Sequence, residues 1–239
     1  MSDQPSTLRA QRRAETQRTI QAHAVRLFTE RGYDATTVVD VAEAAGVSPM
    51  TVYRHFPTKE DLVLVDRIGS VVAERIAASP AARPLVRRIG AALVEAAGLV
   101  GGRADGALTA DGRFLLARLR LMISTPALRA KHLDNFYALQ QAIVGALLDN
   151  AADSAATADL DTADPDTADP DAVFQAQAAA SACLAVMHTA LVRWAEDDGR
   201  AGLPDVIAKA LAAAFGDEPI THEHAHEPRA TGGGAESAS

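Results

Sequence analysis

The chain has 239 residues, of which 48% are hydrophobic, and a formal net charge of −8 at pH 7. This length and apolar content suffice for one large folded unit or two smaller ones. The negative charge argues against a protein that coats nucleic acid or anionic membranes nonspecifically, because such binding draws on a broad positive surface. The charge deficit lies after residue 62, since residues 1–62 carry eight basic and eight acidic side chains.

Cysteine content and apolar runs indicate the compartment. Cys183 is the single cysteine, so no intrachain disulfide can form, which fits a reducing compartment. The N-terminal residues lack the apolar core of a signal peptide, and no later apolar run approaches the length needed to cross a bilayer. We therefore expect a cytoplasmic protein with no membrane partner.

Helical patterns dominate from the N-terminus onward. Alanine is abundant, apolar residues recur three and four positions apart, and β-branched alternation is nearly absent. The sequence therefore predicts an all-α fold. The first helix is expected over Ala10–Arg31 and is ended by Gly32, with residues 1–9 as a flexible arm.

Two short helices joined by a tight turn are predicted next. The first begins after Thr36 or Thr37, either of which can cap it, and Gly46 ends it. Ser48 caps the second helix, and Pro49 occupies its first position, where the missing N–H costs nothing. This arrangement predicts a helix-turn-helix unit, whose second helix enters the DNA major groove, or else an ordinary helical hairpin.

The outward side of that second helix favours DNA. If Val52 and Phe56 point inward, the outer positions hold donors, an aromatic ring and a methyl-contacting group, where a merely solvated helix would carry Glu, Lys and Gln. These outer residues are Pro49, Met50, Thr51, Tyr53, Arg54 and His55.

The rest of the chain is predicted to be helical, apart from residues 153–171 and 217–239. Thr58 and Asp61 are expected to cap a long fourth helix that runs toward Ala78. Residues 153–171 contain an acid-proline repeat and are predicted as a disordered loop, and residues 217–239 as a disordered tail. Later helices are expected over Arg83–Leu99, Leu108–Ile123, Ala127–Ala152, Ala172–Asp197 and Leu203–Phe215.

The stretch "TTVVDVAEAAGVSPMTVYRHFPTKEDL" resembles the signature of the TetR family of bacterial transcriptional repressors. The resemblance runs from about Arg12 to Leu62. It implies a homodimeric, all-α regulator with a helix-turn-helix DNA-binding domain over residues 10–62. It also implies a domain over residues 63–216 that binds a small molecule and dimerises.

The resemblance also implies roles for individual residues. Base contacts are expected from Pro49, Met50 and Arg54, although Met50 stands where the family often has glycine. Backbone phosphate contacts are expected from Thr37, Tyr53, His55 and Lys59, and Ser48 and Thr51 complete the predicted DNA-binding set. Arg9, Arg12 and Arg13 form either a minor-groove arm or a flexible solvated terminus.

A ligand site is expected in the C-terminal domain, where a few polar groups lie on apolar helix faces. The predicted lining is Phe114, Arg118, Met122, Phe136, Tyr137, Gln140 and Met187. The segment "LAVMHTALVRWAEDDGRAGLPDVIAKALAAAFGD" resembles a TetR subgroup that includes the mycofactocin-linked regulators. This makes an acyl-CoA one candidate among lipophilic effectors. Two alanine-rich segments, "QAQAAASACLAVMHTALVRW" and "LPDVIAKALAAAF", predict a four-helix interface in a homodimer.

Three other interpretations have weaker support. A catalytic pair of Cys183 and His188 is disfavoured, because five residues along a helix point the two side chains to different faces. A metal site in "THEHAHE" is disfavoured by its place in the tail. A DNA-binding protein without an effector stays open as the alternative function. We therefore predict no enzyme activity, no cofactor and no metal.

Overall fold

The computed structural model describes residues 4–64, 68–104, 107–157 and 169–216. These residues are helical apart from turns and one short hairpin, so the predicted all-α class is confirmed. The helices are α1 (Gln4–Arg31), α2 (Val38–Ala44), α3 (Pro49–His55), α4 (Gly69–Ala77), α5 (Leu85–Val100), α6 (Ala110–Ser124), α7 (Pro126–Thr157), α8 (Pro170–Glu196) and α9 (Leu203–Phe215). The hairpin pairs β1 (Arg103–Ala104) with β2 (Ala107–Leu108) in antiparallel register.

Two helices extend beyond their predicted ends. Helix α1 begins at Gln4, so residues 4–9 are helical and the predicted flexible arm is wrong over that range. Pro5 lies in the first turn, where a helix tolerates proline, and the following residues favour helix. Helix α7 reaches Thr157, and α8 begins at Pro170, so both ends of the predicted 153–171 loop are helical. Residues 158–168 and the tail 217–239 lie outside the described residues.

The predicted continuous fourth helix is wrong. Thr58 and Asp61 exchange hydrogen bonds as expected, with Thr58 N to Asp61 Oδ2 at 3.0 Å. They are followed only by a 3-10 turn, Glu60–Leu62, and α4 begins at Gly69. Leu62, Val63 and Leu64 are all buried at this break, where the chain leaves helical geometry.

The core is continuous through both parts of the chain. In the N-terminal part, α2 packs against both α1 and α3. Ile20 and Phe28 of α1, Val52 of α3 and Phe56 at its end belong to this core and are nearly inaccessible to solvent. In the C-terminal part, α4 packs on α7, and α8 lies against α5, α7 and α9. Trp194 is the largest fully buried side chain there.

Helix α8 departs from one sequence expectation. Its 27 residues are long and apolar enough to cross a membrane by length and composition alone, which we had not expected of any run. It is nonetheless one layer of the helical core, since Cys183, Leu184 and Trp194 are buried against neighbouring helices.

Candidate nucleic-acid interface and internal cavity

Local chemistry fixes the turn and caps of the α2–α3 unit. Thr37 and Asp40 form a complete capping box at the start of α2. Gly46 has φ +67°, a left-handed conformation that favours glycine, and Val47 N donates to Ala42 O at 3.0 Å to close the turn. The Ser48 hydroxyl then accepts from Thr51 N at 3.1 Å, so Ser48 is the N-cap of α3 as predicted.

Helix α3 presents the predicted outer face to solvent. Val52 and Phe56 are buried, whereas Met50 is 68% exposed and Tyr53 50% exposed. Pro49 and Arg54 are exposed as well. Helix α3 therefore presents the thioether of Met50, the phenol of Tyr53 and the guanidinium of Arg54 to solvent, while the opposite side of the helix packs in the core.

Hydroxyl groups at the two caps have partners within the protein. Thr37 Oγ1 donates to Asp40 Oδ2 at 2.6 Å, and this bond, with one from the Thr37 backbone, lowers the pKa of the Asp40 carboxyl. Thr51 Oγ1 lies 2.9 Å from Ser48 Oγ. Contact of Thr37, Ser48 or Thr51 with phosphate stays a prediction.

Lys59 is placed differently from the expectation. It does not lie at the start of a fourth helix, and its Nζ donates to Tyr33 O at 2.5 Å. The ammonium also lies 4.2 Å from the centroid of the Tyr33 ring. Tyr33 in turn donates its hydroxyl to Glu60 at 2.7 Å. Lys59 therefore joins the turn after α3 to the end of α1, a stabilising role that the sequence did not reveal.

His55, expected on or near the exposed side of α3, is partly exposed. Its Nδ1 is buried and has no hydrogen-bond partner among the described residues. Burial, then the charges of Arg13 and Arg54, lower the pKa of His55 below its ordinary 6.5. The lowered pKa favours the neutral imidazole at pH 7, and the neutral tautomer with its hydrogen on Nε2 can donate to a phosphate oxygen.

The three N-terminal arginines belong to α1. Arg9, Arg12 and Arg13 are exposed on that helix, so the interpretation as a flexible terminus is wrong for them. The effect of Arg13 on His55 shows that the start of α1 lies close to the end of α3. Positive charge from α1 therefore adds to that of Arg54 on this side of the molecule.

A cavity of about 550 Å³, partly open to solvent, lies between α1 and the helices of the C-terminal part. Five of the seven predicted ligand residues line it: Phe114, Arg118, Met122, Phe136 and Met187. The volume falls within the range of roughly 300–1,000 Å³ that is typical of small-molecule sites.

The other two predicted lining residues point elsewhere. Tyr137 is 65% exposed, and Gln140 donates to Ser181 Oγ at 2.9 Å on α8. Phe136 and Leu139 line the cavity, and each following residue is rotated by about 100° around α7, away from it. The sequence analysis therefore assigned too wide a face of α7 to the cavity.

Five polar lining residues were missed, one of them Asp111 at the start of α6. His132 lies four positions before Phe136 and shares its helix face, so the spacing on α7 could have indicated it. Asn135 is adjacent to Phe136 on the same helix. Arg18 and Gln21 come from α1, which the sequence assigned to DNA binding alone, and no pattern in the sequence connects them to the cavity.

A histidine pair joins α7 to α8 at the cavity wall. His132 Nε2 lies 3.2 Å from His188 Nδ1, and both rings meet Phe136 edge-on. Burial, then the charges of His188 and Arg118, lower the pKa of His132 to about 4. His132 is therefore neutral at pH 7 and contributes no positive charge to the cavity.

This depressed pKa predicts a pH dependence of stability. In the unfolded state His132 binds a proton near pH 6.5, whereas in the folded state it does so only near pH 4. Above pH 6.5 the imidazole is neutral in both states, so the contribution of His132 to the free energy of unfolding is fully retained. That contribution is lost as the pH falls from 6.5 to about 4, because only the unfolded state then gains the proton. Urea unfolding of His132→Asn should show a smaller loss of stability over that interval than the wild type. An equal loss in both proteins would contradict the assignment.

Polar contacts connect the cavity to the end of the helix-turn-helix segment. Arg118 Nε donates to the Val63 carbonyl, and Asn135 Nδ2 donates to the Leu64 carbonyl at 2.7 Å. Asp61, which precedes Val63 and Leu64 in the chain, also contacts α7: its Oδ1 lies 3.3 Å from Lys131 Nζ. Cavity-lining side chains therefore hold the backbone of the segment that follows α3.

A second depression, an open groove of about 560 Å³, lies between the start of α5 and the end of α9. Arg87 in this groove donates to Gly216 O at 3.0 Å. The groove shares no lining residue with the cavity and is remote from every residue predicted to bind a ligand.

Catalytic and metal-binding interpretations gain no support. Cys183 is buried, and burial raises the pKa of its thiol to about 12, which opposes nucleophilic use. His188 pairs with His132. Within the described ranges, no three His, Cys, Asp or Glu side chains are grouped to hold a metal ion, and "THEHAHE" lies outside those ranges.

Comparison with known proteins agrees with the helix-turn-helix geometry. Residues 20–65 match the family model described as "Bacterial regulatory proteins, tetR family". The HTH-type transcriptional regulator TcmR of Streptomyces glaucescens is 35% identical over 142 residues, which cover 55% of this chain and 62% of that protein. The HTH-type transcriptional repressor KstR2 of Rhodococcus jostii is 52% identical over 40 residues, covering 17% of this chain and 20% of that one. The chain thus spans less than two thirds of each relative.

Solved structures of similar fold include a FadR from Thermus thermophilus, a transcriptional repressor in complex with lauroyl-CoA. It is 20% identical, with a TM-score of 0.45, over 91% of this chain and 100% of that one.

Proposed function

We propose that this chain is a ligand-responsive transcriptional repressor of the TetR family, a proposal supported by the match of residues 20–65 to the model of that family. It binds a palindromic DNA operator as a homodimer in the cytoplasm and is released by a small lipophilic effector. The observation that carries the proposal is the outward face of α3, where Met50, Tyr53 and Arg54 are exposed above a buried Val52 and Phe56.

Each exposed group on α3 suits one kind of DNA contact. The Arg54 guanidinium can fork onto the O6 and N7 acceptors of guanine, and the Met50 thioether can meet a thymine methyl in the major groove. Tyr53 and the neutral His55 offer hydroxyl and Nε2–H donors to phosphate, which set the register of the helix on the duplex. The short turn at Gly46 and the caps at Thr37 and Ser48 keep these groups in one orientation.

Dimerisation through α8 and α9 is supported by exposed side chains on both helices that are small apart from Phe174. Phe174, Ala178, Ser181 and Ala185 are exposed at three- and four-residue spacing along α8, and Ala208 and Ala213 are exposed on α9. Helices with small residues pack closely, and two from each protomer make a four-helix interface. The two α3 helices then need a separation of about 34–36 Å, or a multiple of it, to meet successive major grooves.

The cavity provides the site for an effector, and its walls provide the coupling. Arg118 and Asn135 hold the carbonyls of Val63 and Leu64, which directly follow the helix-turn-helix segment. A ligand that displaces either side chain removes its hydrogen bond to that segment. The orientation of α3 toward the DNA then changes. Because coupling is reciprocal, DNA must then weaken ligand binding by the same factor by which ligand weakens DNA binding.

Nile red, a neutral apolar fluorophore, can test this coupling before the natural effector is known. Its affinity is measured by fluorescence titration with and without a duplex enriched from random sequence, at a fixed salt concentration. The proposal predicts weaker dye binding in the presence of the duplex, and sedimentation of two protein chains on each duplex. Equal dye affinity with and without the duplex would contradict coupling between the cavity and DNA.

Asn135→Ala should reduce that coupling. The substitution removes the bond to the Leu64 carbonyl, worth about 0.5–1.5 kcal/mol, so occupancy of the cavity is less strongly transmitted to the segment after α3. The ratio of Nile red affinities with and without duplex should fall severalfold toward one. Gln141→Ala, at an exposed position of the same helix, is the control and should leave the ratio unchanged. A wild-type ratio in Asn135→Ala would show that this bond plays no part.

The alternative function is a helix-turn-helix DNA-binding protein without an effector. It is favoured if the protein binds the enriched duplex but takes up no apolar ligand. The cavity, with its apolar walls and few polar groups, supports the sensor over this alternative.

A further inference from the structure

We propose that the effector is a predominantly apolar molecule with one neutral oxygen group, a hydroxyl or a carbonyl, that hydrogen-bonds to the Gln21 carboxamide. This inference rests on the proposed function, since it names the ligand class of the same cavity. It goes beyond that function because a merely lipophilic effector needs no hydrogen bond. It also places the bound group against α1, within residues 20–65, which match the tetR family model.

Gln21 is a buried polar side chain that has no hydrogen-bond partner among the described residues. In that part of the chain, three polar or charged side chains are buried: Gln21, Thr36 and Arg88, at 4%, 1% and 3% exposure. Thr36 Oγ1 donates to Gly32 O at 2.9 Å, and Arg88 Nε donates to Ser79 Oγ at 2.8 Å. Because buried polar groups in proteins are nearly always hydrogen-bonded, the exception at Gln21 calls for an explanation.

The Gln21 amide is open to the cavity. Gln21 is one of the lining residues. Among the described residues, His55 Nδ1 is the side-chain nitrogen or oxygen that is sealed from solvent without a partner, so the Gln21 amide atoms are not sealed in the same way. Since the whole residue is only 4% exposed, the space that these atoms reach is the cavity. A ligand group bound there would contact α1 directly.

The other polar residues of the lining are engaged or exposed. Three of them hydrogen-bond other parts of the protein: His132, Asn135 and Arg118. Two others are exposed to solvent: Arg18 and Asp111. Gln21 is therefore the one polar lining residue in the described part of the chain that is both buried and without a partner.

The remaining walls suit an apolar body. They come from α5, α6, α8 and α9 and include Leu93, Ala97, Leu115, Met122, Met187 and Ile207. Apolar side chains of this kind favour hydrocarbon chains or aromatic rings. A carboxamide contributes N–H donors and a carbonyl acceptor but no charge. It therefore suits a hydroxyl, which can pair with either, or a carbonyl, which accepts from an N–H.

Gln21 should discriminate between ligands that differ only in this oxygen group. In the unliganded protein, solvent that enters the partly open cavity can hydrogen-bond the amide. An apolar ligand that displaces this solvent leaves the amide buried and unpaired, which weakens binding. A hydroxyl or carbonyl on the ligand replaces the lost hydrogen bond, so a site of this kind rejects the analogue that lacks the group.

Three probes with one skeleton test this discrimination: diphenylmethanol, benzophenone and diphenylmethane, which carry a hydroxyl, a carbonyl and neither group. Each is titrated against protein that holds Nile red, and displacement of the dye gives its affinity. Since the oxygen groups also favour water, the measured quantity is the ratio of the affinities for an oxygenated probe and for diphenylmethane, compared between proteins. Gln21→Leu should lower that ratio about tenfold for at least one oxygenated probe, and the probe with the larger change identifies the group.

Gln11→Leu is the matched control for this comparison. Gln11 is exposed on the same helix and is absent from the cavity wall, so both affinity ratios should stay at their wild-type values. Ratios in Gln21→Leu that equal those of the wild type for both oxygenated probes would overturn the inference.

The stability of the unliganded variant separates ligand binding from a structural role of Gln21. Leucine replaces the amide with an apolar group of similar size, so the urea midpoint of Gln21→Leu should equal or exceed that of the wild type. A midpoint clearly below that of the wild type would show that the amide stabilises the fold, and it would overturn the inference. Duplex binding by both proteins, measured without any probe, tests the regulator function separately. Unchanged ratios with intact duplex binding would refute the ligand class alone.

Discussion

Replacing Trp194 with alanine should lower the free energy of unfolding by about 3–5 kcal/mol, the range typical of aromatic truncations in a core. Trp194 is 1% exposed at the end of α8, and its Nε1 donates to Ala201 O at 2.9 Å. The substitution therefore leaves a cavity and removes the bond that holds the α8–α9 connection. Urea unfolding followed by circular dichroism measures the loss, because the variant has no tryptophan to report by fluorescence.

Two further variants separate the causes of that loss. Trp194→Phe keeps most of the packing and should cost about 1–3 kcal/mol, mainly through the unpaired Ala201 carbonyl. Val39→Ala truncates an apolar side chain that is 58% exposed and should change stability by less than about 0.5 kcal/mol. A loss below about 1 kcal/mol in Trp194→Ala would show that α8 and α9 do not pack around this ring as described.

Replacing Arg54 with alanine should weaken binding to the selected operator by about 1–3 kcal/mol, which is roughly fivefold to 150-fold. Arg54 is exposed on the outer side of α3, and the proposed base contact is a bidentate one from its guanidinium to guanine. The variant should also lose preference at one defined base pair of each half-site. Binding to an unrelated duplex should fall far less, because that binding depends on phosphate contacts.

A matched surface arginine controls for the loss of charge. Arg26 is exposed on α1 and pairs with Glu30 at 3.0 Å, within one helix. Arg26→Ala should leave operator preference unchanged and alter affinity little. If Arg54→Ala weakened all sequences equally, Arg54 would be a phosphate contact and not a base reader.

The features that could be predicted from the sequence depend on nearby residues. The cap of α3 at Ser48, the turn at Gly46 and the bounds of α9 each follow from side chains within about one helical turn. Such local features can be predicted from the amino-acid sequence alone. The inward positions of Val52 and Phe56 followed from helical periodicity for the same reason.

The features that escaped prediction depend on distant packing. The break after Leu62 lies among buried residues of the shared core, where tertiary packing overrides helix propensity. Lys59 bends back to Tyr33, 26 positions earlier in the chain. Nothing in the spacing of residues near Lys59 indicates that partner.

The cavity was predicted only in part for the same physical reason. Residues on single helix faces, such as Phe114, Arg118 and Met122, follow from periodicity within α6. Arg18 enters the cavity only because α1 packs against α6, a tertiary contact. Tyr137 shows the converse, since its aromatic ring suggested the core, yet the rotation of α7 leaves it exposed.

Selection of binding sites from random duplex DNA by the purified full chain, at stated salt, tests most directly whether the outer face of α3 reads DNA. The account predicts enrichment of a palindromic motif whose half-site centres lie one helical turn, or a multiple of it, apart. It also predicts that Arg54→Ala, selected in parallel, loses one position of that motif. No enrichment of any motif by the wild-type protein, at salt concentrations where the protein is folded, would contradict the account.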